Sequence, residues 1–139
     1  AARAYVCRVS TAPPAPSIAA PAAHAVPRVL VLAHTHWDRE WYHEAGRFRQ
    51  RLVALVDELL DTPPRTPDGA VAPFLLDGQA ITLEDYLAVR PERRARLVRA
   101  LRDGALEAGP WYVLADNLIP EGEALVRNLL AGRRVLSEL

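Results

Sequence analysis

The sequence predicts an α/β fold organised on a parallel sheet, and three features carry that expectation. Short aliphatic runs alternate with longer amphipathic stretches in the order strand, helix, strand, helices, strand, helix, the alternation that crossover helices impose on parallel strands. The first aliphatic run is continuous in Val and Leu, as in a strand covered on both faces. The runs also give way abruptly to polar or turn-forming residues, at the strand ends where α/β proteins collect their chemistry. This order supplies about half of what a closed barrel needs, so the expected architecture is an incomplete, barrel-like parallel sheet. No internal repeat of fixed period is evident.

Residues 1–27 precede the first element and are rich in Ala and Pro ("STAPPAPSIAAPAAHAVP"). Prolines this close exclude helix and ladder, because each lacks an N–H and fixes its own φ. An irregular or disordered leader is expected, with His24 an isolated polar residue within it. The domain proper is expected over residues 28–139.

The first strand is "RVLVLAH" (28–34), bounded by Pro27 and a polar cluster. The stretch "EAGRFRQRLVALVDELL" (44–60) then places Phe48, Leu52, Leu55, Val56, Leu59 and Leu60 on one face at helical spacing, with arginines opposite. Turn chemistry in "DTPPRTPDG" (61–69) ends that helix. "PFLLD" (73–77) reads as a second short buried strand, closing at Asp77 and Gly78. In "ITLEDYL" (81–87) Thr82 is the expected N-cap, Asp85 a capping-box partner, and Ile81 with Tyr86 an apolar staple. Pro91 opens a further helix in "PERRARLVRALRD" (91–103), and Gly104 is suited to stop it. "PWYVL" (110–114) is the third expected strand, and "EGEALVRNLLAGRRVLSEL" (121–139) a third long helix.

Composition narrows the function classes. A chain of 139 residues buries one core, with 50% apolar and 24% charged residues in ordinary soluble proportion. Seventeen basic and 17 acidic residues cancel to a formal charge of +0, which argues against a nucleic-acid or membrane-surface partner. The basic run at 90–102 has no interleaved aromatics and reads as the solvated face of a helix. The single cysteine, Cys7, rules out an internal disulfide framework. No apolar run approaches the roughly 20 residues that cross a bilayer, and prolines interrupt any signal-like stretch; a cytoplasmic location is expected. All 17 basic residues are Arg, a codon preference of a GC-rich genome. The chain begins at Ala and has 0 Met, so a fragment or processed product is expected.

The chemistry gathers in "VLAHTHWDREWYHE" (31–44). Alternate residues of an extended chain share a face, about 6.6 Å apart, so His34, His36 and Asp38 project together if strand geometry persists. Imidazole nitrogen and carboxylate oxygen both suit zinc-like divalent ions. A pair of hydrogen-bonded histidines is the other reading of the same spacing. Trp37 and Trp41 are either core residues or stacking faces for a sugar ring, whose C–H face is apolar while its hydroxyls need partners. Asp77 and Asp116 each follow an expected strand and either line a pocket or cap a turn. His43 reads as a surface residue, and Arg127 with Asn128 as members of a buried polar network.

"AHTHWDREWY" (33–42) resembles the opening motif of the glycoside hydrolase family 38 α-mannosidases in their bacterial form. "FLLDGQAITLEDYL" (74–87) resembles that family's second block, and "GPWYVLADNLIPEGEALVRNLLAG" (109–132) its third. The likeness covers roughly residues 28–139; Asn117 and the Pro120–Glu121 pair depart from the commonest wording of the third block. The resemblance implies a single Zn2+ held by His36 and Asp38, with His34 behind them as a supporting residue. It places Trp41 under the sugar at the cleaving subsite, and Asp116 is expected to line the substrate pocket. The implied partner is an α-mannoside, an oligosaccharide or a small mannoside such as mannosylglycerate, and a homo-oligomeric parent is compatible with it. The implied reaction is retaining hydrolysis through a covalent glycosyl-enzyme. The family's nucleophilic Asp, its acid/base carboxylate and the remaining zinc ligands are expected beyond Leu139, so no catalytic residue is assigned within the chain and the chain alone is expected to be inactive. The rivals are a metal-dependent amidohydrolase or phosphoesterase, which also opens with His-x-His at a first strand and activates water, and a non-catalytic remnant or binding module.

Overall fold

A computed structural model describes residues 31–139. The expected leader over 1–27, with Cys7 and His24, lies outside the described residues, as do positions 28–30 of the first expected strand. Among the described residues a three-stranded sheet runs in the order β1 (Ala33–His34), β2 (Phe74–Leu75), β3 (Leu106–Glu107). Both pairings are parallel, with Ala33 opposite Phe74 and Phe74 opposite Leu106. Helices α1 (Ala45–Asp61), α2 (Ile81–Leu87), α3 (Arg94–Arg102) and α4 (Gly122–Glu138) complete the set, and a 3-10 turn over Pro91–Arg93 leads into α3. Alternation and parallel pairing are as the sequence predicts. The sheet is small and open, and it does not close into a barrel among the described residues.

Helix α1 buries Phe48, Leu52, Val53, Val56, Leu59 and Leu60. Leu55 of the expected face is half-buried and Val53 takes a place beside it. Thr62 ends the helix, donating its N–H to Glu58 O at 2.7 Å, and Pro63 and Pro64 cannot continue it. Leu76, Leu83, Tyr86, Leu97 and Leu106 pack against this face. The Tyr86 hydroxyl, at the bottom of the core, donates to Asp57 Oδ1 at 2.7 Å; burial, then that carboxylate, push its phenol well above the ordinary value. Gly104 stops the α3 segment at φ +75°, a left-handed conformation natural to glycine.

Three expectations are corrected. The first strand is not covered on both faces, since Ala33 and His34 are exposed. The third strand lies at Leu106–Glu107, and among the described residues "PWYVL" pairs through one isolated parallel bridge, Trp111 with Gln79, outside the sheet. Pro110 offers no N–H, and the backbone groups that follow it are engaged elsewhere: Trp111 O accepts from Ala80 N at 2.8 Å and Tyr112 O from Ile81 N at 3.0 Å. These carbonyls satisfy the orphan donors that open α2, which explains the third difference. Ala80, not Thr82, is the N-cap; Thr82 is buried inside the helix, its hydroxyl donating to Gln79 O at 2.8 Å. No described helix is long and apolar enough to cross a membrane.

Candidate functional site

The segment after β1 delivers His36 and Asp38, and the turn after β2 delivers Asp77, because neighbouring parallel strands end side by side. His36 Nε2 lies 3.6 Å from Asp38 Oδ2, and His36 Nδ1 lies 3.8 Å from Asp77 Oδ1. The imidazole is 75% exposed while the Asp77 side chain is 8% exposed, so an open ring stands on a buried carboxylate.

Asp77 is reached through an uncommon backbone. It has φ +50° and is followed by Gly78 at φ +66°. Glycine accepts this region freely, whereas a residue with a Cβ sits there at a cost of about 1 kcal/mol, least for Asp and Asn. The left-handed turn carries the carboxylate back toward the β1 loop. Its Oδ2 accepts from Trp37 N at 2.7 Å and from Gln79 Nε2 at 2.7 Å. The Gln79 amide also donates to Trp37 O at 2.7 Å and accepts from Leu114 N at 3.3 Å. Gln79, 4% exposed, therefore joins the loops that follow β1, β2 and the 110–113 segment.

A charged fork braces the same loop from the other side. Arg39 Nε and Nη2 donate to Asp85 Oδ2 and Oδ1 at 2.7 and 3.0 Å, and Arg49 Nη2 to Oδ1 at 3.2 Å. The Asp85 hydrogen bond holds the Arg39 guanidinium above its already high ordinary value. Asp85 is thus a tie between α2, α1 and the β1 loop, and not the capping-box residue its spacing suggested.

The two tryptophans divide. Trp37 is half-buried, edge-on to Phe48 with ring centroids 6.3 Å apart, and belongs to the core. Trp41 is 74% exposed, tilted against Tyr42 at 5.9 Å, its indole open to solvent. His43 is half-buried against Tyr42 and Phe48, centroids 4.8 and 6.4 Å away. His34 directs Nδ1 to the Thr35 carbonyl at 2.8 Å. Asp116 is exposed, and its Oδ1 accepts from Leu118 N at 3.1 Å while its carbonyl accepts from Ile119 N at 3.0 Å. That is an Asx-type turn, in a loop that leaves Gln79 two residues earlier. Asn128 clamps the 112–113 backbone from α4, accepting from Tyr112 N and Val113 N at 3.1 and 3.0 Å and donating to Val113 O at 2.7 Å, the polar network expected of it. Arg127 forms an exposed pair with Glu123 instead.

Among the described residues no group of three or more His, Cys, Asp or Glu side chains converges on one point as a metal cage does. The His36–Asp38 pair nevertheless suits part of one. Donors bound to one zinc at about 2.0–2.1 Å with tetrahedral angles stand about 3.3 Å apart, and 3.6 Å between Nε2 and Oδ2 needs little contraction.

Gln79 and Arg39 carry no signal in the sequence, and Asp85 reads there as a capping residue. Apart from Asp77, two residues from Gln79, their partners lie 35 to 46 residues away, and neither helical nor strand periodicity marks them. The Asp-Gly pair at 77–78 was the available signal for an unusual turn.

Parallel strands bring an imidazole and two carboxylates together just past their ends, in an α/β arrangement. The chain belongs to the glycosyl hydrolases of family 38: residues 27–139 match the N-terminal domain of that family. A protein of Halalkalibacterium halodurans that provisionally bears the name mannosylglycerate hydrolase is 45% identical over 102 residues, covering 73% of this chain. An α-mannosidase from Enterococcus faecalis superposes with a TM-score of 0.67 at 39% identity, over 77% of this chain. A family 38 protein from the same organism superposes with a TM-score of 0.63 at 36% identity. The chain spans 11% of the Halalkalibacterium relative and 12% of each Enterococcus structure.

Proposed function

We propose that this chain is the amino-terminal part of the catalytic domain of a zinc-dependent, retaining α-mannosidase. The observation that carries the reading is the His36–Asp38 pair, 3.6 Å apart at the open end of the sheet, in a chain of family 38. The names borne by the relatives support an α-mannoside as substrate, either an oligosaccharide or a small mannoside of the mannosylglycerate type.

His36 and Asp38 would hold the metal through Nε2 and a carboxylate oxygen, and zinc there would supply a positive charge for the sugar hydroxyls. His34 supports the pair from the strand behind it. Trp41 offers its open face to the apolar C–H side of the sugar, where stacking orients the ring without competing for its hydroxyls. Asp116, fixed by its turn, accepts from a hydroxyl at the pocket rim. Trp37 and the Arg39–Asp85 fork keep the β1 loop from moving as the sugar is bound, which preserves the geometry that bond cleavage requires. Cleaving an acetal with retention takes one carboxylate that attacks the anomeric carbon and a second that acts as acid and then as base. On this reading both come from polypeptide outside residues 28–139.

The test is zinc content and hydrolysis of an aryl α-mannoside by the intact gene product. His36→Ala and Asp38→Ala are each expected to leave the purified protein depleted of zinc and to lower turnover by about a hundredfold or more, and the first-formed mannose is expected to keep its anomeric configuration by NMR. Wild-type zinc content and turnover in both variants would end the proposal.

A further inference from the structure

We infer that Asp77 is a positioning residue for the metal site: its buried carboxylate receives the Nδ1–H of His36 and so commits Nε2 to the metal. The inference rests on the zinc reading above and concerns a residue to which that reading gives no part.

The geometry leads there stepwise. Metal-binding imidazoles donate their other ring N–H to a carboxylate or carbonyl, which fixes the tautomer and makes the ligand nitrogen more basic. The two nitrogens of His36 face two different carboxylates, Nε2 toward Asp38 and Nδ1 toward Asp77. The two short hydrogen bonds of Asp77 both fall on Oδ2, which leaves Oδ1 facing the imidazole at 3.8 Å. That distance is within ion-pair reach and beyond a hydrogen bond. The carboxylate is held from three sides: by the Trp37 N–H, by the Gln79 amide, and by a left-handed backbone at φ +50°. A residue kept in a costly conformation and buried beneath an exposed ligand is the pattern from which function is argued. A turn-capping role alone accounts for Oδ2 and leaves Oδ1 unexplained.

The variants separate these roles. Asp77→Asn can place its amide oxygen where Oδ2 lies and keep both hydrogen bonds, while presenting an N–H to His36 Nδ1. A purely structural residue would therefore tolerate Asn. Zinc affinity of the intact gene product, measured by chelator competition, is expected to fall about 10- to 100-fold in Asp77→Asn, with the thermal midpoint within a few degrees of wild type. Asp77→Ala is expected to lose both affinity and stability. Wild-type zinc affinity in Asp77→Asn, alongside a large loss in His36→Ala, overturns this inference and leaves the zinc reading intact. No loss in His36→Ala overturns the zinc reading itself. Should Asp77→Asn fail to fold, the zinc-loaded wild-type crystal structure decides: ligation through Nε2 with Nδ1 on Asp77 Oδ1 is expected, and ligation through Nδ1 refutes the assignment.

Discussion

The Gln79 carboxamide meets Trp37 O, Asp77 Oδ2 and Leu114 N within 3.3 Å. Each of these belongs to a different loop, and each loop carries one of the candidate site residues or leads to it. Leucine at this position matches the volume and removes every one of those bonds, leaving the part-buried Trp37 carbonyl and Leu114 N–H without that partner. Loss of a part-buried hydrogen-bond network costs about 1–3 kcal/mol, so Gln79→Leu is expected to destabilise the protein by about that much in urea unfolding. It is also expected to weaken zinc binding, since the loop between His36 and Asp38 loses its anchor; unchanged stability would mean that the three loops are held by other contacts. None of this was legible in the sequence. His36, Asp38 and Trp41 declare themselves because their types and spacing are chemically unusual, whereas a buried glutamine is recognised only by what surrounds it. Asp77 was legible as a turn residue, and its second oxygen was not.

Helices and strands were easier to read than the segments between them, for a physical reason. Helix α1 is written in a periodicity that has one solution, a single apolar face, and its end is fixed by Pro63 and Pro64. The 110–114 segment has strand composition, yet its backbone serves the first turn of α2 and the Asn128 clamp of α4. Composition describes side chains, and it does not reveal which neighbour the backbone will satisfy. That arrangement depends on α4 coming very close to the 110–112 backbone, and Gly132 permits it. A Cβ there would fall 2.5 Å from the Trp111 carbonyl carbon and 2.6 Å from Tyr112 N, both backbone atoms that cannot swing aside. Gly132→Ala is therefore expected to destabilise by about 1–3 kcal/mol through overpacking, even though alanine is the better helix former by about 1 kcal/mol. Gly46→Ala in α1, where a Cβ would meet nothing within 4 Å, is the control and is expected to be neutral or stabilising. Calorimetry on both variants checks the pair; equal behaviour would show that α4 can shift away without loss.

The whole molecule leaves apolar surface in the open. Helix α4 buries Gly132 and Val135 and exposes Val126 and Leu130, one turn apart, while the loop before it presents Leu118 at 96% and Ile119 at 78% exposure. At the sheet edge Val31 and Leu32 are exposed as well, beside a strand that pairs on one side only among the described residues. Scattered apolar residues on a surface mean little, but helix, loop and open strand edge together are what proteins ordinarily cover. The relatives are long enough to do so, since this chain spans 11–12% of their lengths. With a formal charge of +0, the chain also lacks the repulsion that would keep copies apart. Purified as 139 residues, it is expected to self-associate at micromolar concentration and to bind a hydrophobic dye, as read by light scattering after size exclusion. Val126→Glu with Leu130→Glu should shift that equilibrium toward monomer without unfolding, because both side chains are more than half exposed. A monomeric, dye-silent 139-residue chain would show that these residues are ordinary surface, and that nothing need lie over α4.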